Sequence, residues 1–220
     1  MDAPHRILKV LVGSQAHGLA GPDSDADYRS VFVMPTIEMF RLGYRPQDTR
    51  WVEGAEDETS WEVGRFLLLA VQGHPLILEA FLAPVIEADT WGHELRRLFP
   101  AVWDPRTTYD AFLGYCLNQR RKFLDKKDQR PEKYASAYLR VLHNLGELLE
   151  TGTFTVRIVD TQVRDLMTRI KSGSFNMGEI IDLGERWTEH AAKLLSRCRQ
   201  KQDLDAVNDF LIRIRKAFLS

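Results

Sequence analysis

Residues 10–35, V-L-V-G-S-Q-A-H-G-L-A-G-P-D-S-D-A-D-Y-R-S-V-F-V-M-P, constrain this 220-residue chain more than any other stretch. An apolar run ends in Gly13-Ser14, a short loop follows, and Asp25 and Asp27 stand one residue apart before a second apolar run. Alternate residues of a strand face the same side, so the two aspartates are expected to project together from the start of a strand over 28–34. Carboxylates that close repel unless a cation lies between them. Hard oxygen donors beside phosphates suit Mg²⁺ (or Mn²⁺). Gly13 lets backbone approach a phosphate closely, and the Ser14 hydroxyl with neighbouring N–H groups can donate to it. Strand, turn and strand together describe a nucleotide site.

A Gly-Ser pair followed after about a dozen residues by Asp-x-Asp is the signature of the polymerase-beta-like nucleotidyltransferase superfamily, which this chain resembles. The fuller text, Gly13-Ser14-Gln15-Ala16-His17-Gly18 and then Ser24-Asp25-Ala26-Asp27-Tyr28-Arg29-Ser30-Val31-Phe32-Val33, is similar more narrowly to nucleotidyltransferases associated with RNA repair pathways. Arg65-Phe66, Gly73-His74-Pro75-Leu76-Ile77-Leu78-Glu79 and Thr151-Gly152 extend the resemblance over most of the chain. His74 departs from it, since Asn is usual before that proline. The implied fold is α+β (mixed): a small nucleotidyltransferase sheet with flanking helices, followed by an α-helical bundle domain. The implied activity moves a nucleoside monophosphate from an NTP such as ATP to an acceptor hydroxyl, with an RNA end, tRNA in particular, as acceptor.

Two-metal phosphoryl transfer needs a further carboxylate for the hydroxyl-activating metal. Residues 51–59 read as a third strand with an acidic run, Glu53, Glu56, Asp57 and Glu58. Asp57 is the chosen third ligand beside Asp25 and Asp27, because it falls a family-like distance before Arg65-Phe66. Glu58 is the alternative and would face the opposite side. His17, in a brief helix expected over 15–20, either makes a local hydrogen bond or lines the nucleotide site. Arg29 is assigned to the nucleotide site with a carboxylate or a phosphate as partner. Ser60 is expected to cap a helix over 61–72, and 76–82 to add a further helical segment. Glu79, alone in an apolar stretch, needs a partner if buried: it supports the site or pairs with Arg65.

The candidate domain boundary lies at 100–105, giving a catalytic domain over 1–103 and a helical domain over 104–220. Helices are expected over 107–127, 131–150, 161–171, 177–199 and 204–218, with a small strand over 153–158. Gly152 should stop the second of these helices. Lys133, Arg140 and His143 are spaced to share a helix face; the resemblance turns that face to the nucleotide, and pairing with nearby acids is the alternative. The formal charge is −1, but up to Trp103 there are 9 basic and 15 acidic residues and beyond it 21 and 16, a balance of −6 against +5. The positive half is compatible with an RNA backbone along 120–133 or with an ordinary solvated helix surface.

No apolar run is long enough to span a bilayer, no signal-peptide pattern begins the chain, and Cys116 and Cys198 lack metal-site spacing. A cytoplasmic protein with no membrane partner is the expectation. A non-catalytic nucleotide-binding or regulatory module, a toxin-antitoxin-type protein partner, and a transferase acting on a protein or small-molecule hydroxyl compete with the RNA reading.

Overall fold

The computed structural model of the protein describes residues 4–21, 24–43, 49–52, 57–125 and 130–219, with backbone alone at 49–52 and at 57. The chain forms two compact units, one of Met1–Val71, Leu76–Trp103 and Gln202–Ser220, the other of Gln72–Pro75 and Asp104–Lys201. The class is mixed α+β, as the resemblance implies.

In the first unit the two apolar runs become β1 (His5–Val12) and β2 (Asp27–Val33), antiparallel and joined through a single helical turn, α1 (Gly13–Ala16). After α2 (Thr36–Met39), β3 (Thr49–Val52) pairs antiparallel with β4 (Asp57–Glu62), and β4 runs parallel to β2. β5 (Val85–Ala88) lies on the other side of β1, so the sheet order is β3-β4-β2-β1-β5. Ile7, Leu8 and Val10 of β1 and Val31, Phe32 and Val33 of β2 are buried, so residues facing both sides of the two strands are covered. The cover includes α3 (Val63–Val71) and α4 (Pro75–Leu82), whose Phe66 and Phe81 rings lie 5.0 Å apart. Each fully buried side chain of this size contributes roughly 1.5–3 kcal/mol. These two helices are apolar because they are core; among the described residues no single helix is long and apolar enough to cross a membrane. α5 (Thr90–Arg97) starts where the Asp89 carboxylate accepts the Gly92 N–H.

The second unit holds α6 (Pro105–Asp125), α7 (Pro131–Thr151), α8 (Thr161–Lys171) and α9 (Met177–Leu195). α7 packs against the other three, burying Leu139, Leu142, Leu145 and Leu148. Gly152 ends it at φ 83°, its N–H bonded to the Leu148 carbonyl. Asp160 and Asn176 cap α8 and α9 through their side-chain oxygens.

The last helix, α10 (Leu204–Ala217), belongs to the first unit rather than to the helical bundle expected over 104–220. Its Phe210 ring meets Trp91 at 6.0 Å, and Thr36 bonds both the Arg215 and Phe218 carbonyls. The single strand expected over 51–59 is two strands, in register as Val52↔Glu58; residues 53–56, with Glu53 and Glu56, lie outside the described residues. Ser60 caps nothing, because the ladder with β2 (Ser30↔Ser60) holds 57–62 extended. The residue at the head of α3 is Glu62, whose Oε2 accepts the Gly64 N–H at 2.7 Å. Residues 153–158 alternate as expected, with Phe154, Val156 and Ile158 buried, but form no ladder and are not a strand.

Candidate active site

β1 delivers the chain into a turn that only glycine can make. Gly13 has φ 68°, and a Cβ there would fall on the Asp27 Oδ2 atom. The missing side chain therefore makes room for a carboxylate of the chain itself. Helical bonds close the turn, from His17 N–H to the Gly13 carbonyl (3.1 Å) and from Leu19 N–H to the Ser14 carbonyl (2.9 Å). Gln15 Nε2 donates to the Ser24 carbonyl at 3.0 Å, tying the turn to the residue before Asp25.

Asp27 opens β2, with Val12 as its antiparallel partner and Asp57 as its parallel one. Asp25 precedes the strand and is exposed, so only Asp27 of the expected pair sits in the ladder. The Asp57 side chain lies outside the described residues, but its backbone position is beside Asp27. Among the described residues no three His, Cys, Asp or Glu side chains are grouped to hold a metal ion.

Glu58 is engaged elsewhere. Its carboxylate lies 3.5 Å from Arg6, 3.8 Å from Lys9 and 3.1 Å from the Ser60 hydroxyl. Burial works to raise its pKa, but the Ser30 and Ser60 hydroxyls and the charges of Arg6 and Lys9 outweigh it and hold the group below the ordinary 4.5. Lys9 also lies over the Tyr28 ring, 4.2 Å from its centroid.

His17 and Arg29 converge on one carboxylate. Glu79, 2% exposed on α4, lies 3.1 Å from His17 Nε2 and 3.9 Å from Arg29 Nη1. Arg29 Nη1 also donates to the Leu76 carbonyl at 2.9 Å. The partners of Arg29 thus include a carboxylate, and Glu79 pairs with His17 and Arg29 where the sequence suggests Arg65. A lone Glu in P-L-I-L-E-A-F-L is the signal that the sequence carries; it does not reveal the partners.

In the second unit, Lys133 is exposed near the start of α7, whereas Arg140 is buried. Burial pushes the Cys116 thiol up to about 12, partly opposed by the Arg140 charge. His143 lies 5.8 Å from the Trp187 ring and 3.8 Å from Glu147. Arg120 is paired with Glu185 at 3.0 Å and Arg121 is exposed; Lys126 and Lys127 lie outside the described residues. A cavity of about 290 Å³ in this unit is lined by Leu113, Cys116, Tyr138 and Glu185 among others, and contains none of the site residues expected from the sequence.

Gly13 and Asp27, in contact here, are two of the residues through which the sequence resembles nucleotidyltransferases. The chain belongs to the RNA repair pathway DNA polymerase beta family, whose model matches residues 2–213. Among solved structures, a nucleotidyltransferase-like protein from Exiguobacterium sibiricum matches at 10% identity and a TM-score of 0.34, over 97% of this chain and 75% of its own. No curated protein matches.

Proposed function

We propose that the protein transfers a nucleoside monophosphate from an NTP, ATP among the candidates, to a hydroxyl at an RNA end, tRNA in particular. The observation that carries the reading is the Asp27 carboxylate lodged against Gly13, with Asp57 beside it in the ladder. The donor set is all carboxylate oxygen, which fits Mg²⁺ or Mn²⁺. Asp25, Asp27 and Asp57 are the residues that would hold it. A bound ion of this kind supplies charge neutralisation at the phosphates and an activated acceptor hydroxyl.

The remaining work falls to the chain. Ser14 and the amides of its turn hold the β and γ phosphates, as donors at a helix start do. The acceptor oxygen bonds to the α-phosphorus in line as the bond to the pyrophosphate breaks. Holding the two reactants in that alignment is where most of the acceleration arises.

The test is pyrophosphate release from each NTP with Mg²⁺ and RNA acceptors. The wild type should release it, and Asp27→Asn should not, with an unchanged circular dichroism spectrum. Release that persists at the wild-type rate in Asp27→Asn would overturn the mechanism. Transfer to a protein or small-molecule hydroxyl uses the same residues and would show as release without RNA dependence.

A further inference from the structure

Glu79 carries a charge in a place that folding alone does not favour. Seven of the eight residues of α4 are apolar or proline, and Glu79 is 2% exposed among buried Ile77, Leu78, Ala80 and Phe81. Burying a carboxylate is costly unless cations and hydrogen bonds offset it, and an apolar side chain of similar volume is often at least as stable there. The offset comes from two residues with distinct neighbourhoods. His17 follows the Gly13–Ala16 turn and caps it through its own N–H to the Gly13 carbonyl. Arg29 lies two residues along β2 from Asp27, and its Nη1 is bonded to the carbonyl of Leu76, one helical turn before Glu79. The turn and the aspartate strand are thus fastened to a single point on α4, at 3.1 Å and 3.9 Å from the same oxygen, Oε1.

We propose that Glu79 is a positioning residue for the nucleotide site: through His17 and Arg29 it fastens the turn proposed to hold phosphate and the strand that carries Asp27 to one point on α4. The inference rests on the transferase reading above. It accounts for a buried carboxylate in the core: the β1–β2 ladder and the Gln15–Ser24 bond hold the backbones of turn and strand together, and Glu79 adds a side-chain tie from each of them to α4. A carboxylate shared by both side chains holds the two at once, in the way that groups behind metal ligands orient them.

The experiment measures binding of each NTP by calorimetry with Mg²⁺, alongside pyrophosphate release and urea unfolding, for wild type, Glu79→Gln, Glu79→Met and His17→Gln. Wild type should bind at least one NTP in a Mg²⁺-dependent manner; if it binds none, the transferase reading itself fails. Given binding, Glu79→Gln should weaken the affinity and raise the half-saturating Mg²⁺ concentration by on the order of tenfold. Glu79→Met should fold at least as stably as Glu79→Gln and yet bind no better. His17→Gln, which breaks one arm only, should show a smaller loss, and the double variant His17→Gln with Glu79→Gln should lose no more than Glu79→Gln alone. Variants that lose stability but keep wild-type NTP affinity and Mg²⁺ dependence in their folded fraction would reduce Glu79 to a structural ion pair and leave the transferase reading standing.

Discussion

A methyl group at Gly13 would take the space that the Asp27 carboxylate fills, on backbone already at φ 68°. Left-handed backbone costs an ordinary residue roughly 1–2 kcal/mol, and a displacement of about 1 Å at a reacting centre costs on the order of 10²-fold in rate. Gly13→Ala should therefore lower the urea midpoint modestly and pyrophosphate release by about a hundredfold, which separates the two effects in one preparation. Glu58 has a different consequence. Its folded pKa lies below the ordinary 4.5 because the hydroxyls and cations around it outweigh burial. A group depressed on folding stabilises above its unfolded pKa and loses that contribution as pH falls through the folded one. Glu58→Gln should flatten the fall in unfolding free energy below pH 4.5, while leaving a constant loss above it. The turn at Gly13 and the strand after it were legible because each rests on local pattern, whereas the place of Asp25 outside the ladder was not. The Glu79 partners were not, because His17 is 62 residues away and no local pattern carries that distance.

The elements follow the same division. β1, β2 and α7 emerge where apolar periodicity and a terminal glycine place them, since local pattern and burial agree. β4 does not, because Ser60-Trp61-Glu62 reads as a capped helix start until pairing with β2 supplies a ladder that holds it extended. Glu62 then serves two elements, capping α3 and forming a two-pronged pair with Arg215 of α10 at 2.6 and 2.8 Å. Its side chain is 8% exposed and that of Arg215 19%. Removing one partner of a buried pair leaves an uncompensated charge, at a cost of about 3–5 kcal/mol. Arg215→Met should lower the free energy of urea unfolding by about 3 kcal/mol, and Glu62→Gln in the same chain should recover part of it. Additive losses in the double variant would show that the two side chains do not act as a pair.

At the scale of the whole molecule, the return of α10 to the first unit was not legible in the sequence, because its amphipathic face fits any apolar surface. The return leaves the charge division unchanged: residues 202–220 carry Arg213, Arg215 and Lys216 against Asp203, Asp205 and Asp209. The second unit keeps its excess of five positive charges, and an RNA acceptor would be drawn to it through its phosphates. Individual residues differ in what they can offer. Arg120 is already paired with Glu185 at 3.0 Å, whereas Arg121, Lys122 and Arg130 are exposed close to the α6–α7 connection. Replacing these three by Gln should weaken RNA binding and reduce the slope of log affinity against log salt by about 2, at roughly 0.7 for each single-strand phosphate no longer neutralised. Arg120→Gln should change the slope less, since its charge is balanced in the free protein. NTP binding should be unaffected in the triple variant, because none of the three belongs to the nucleotide site. An unchanged affinity and slope would make this surface an ordinary solvated one and favour a protein or small-molecule acceptor.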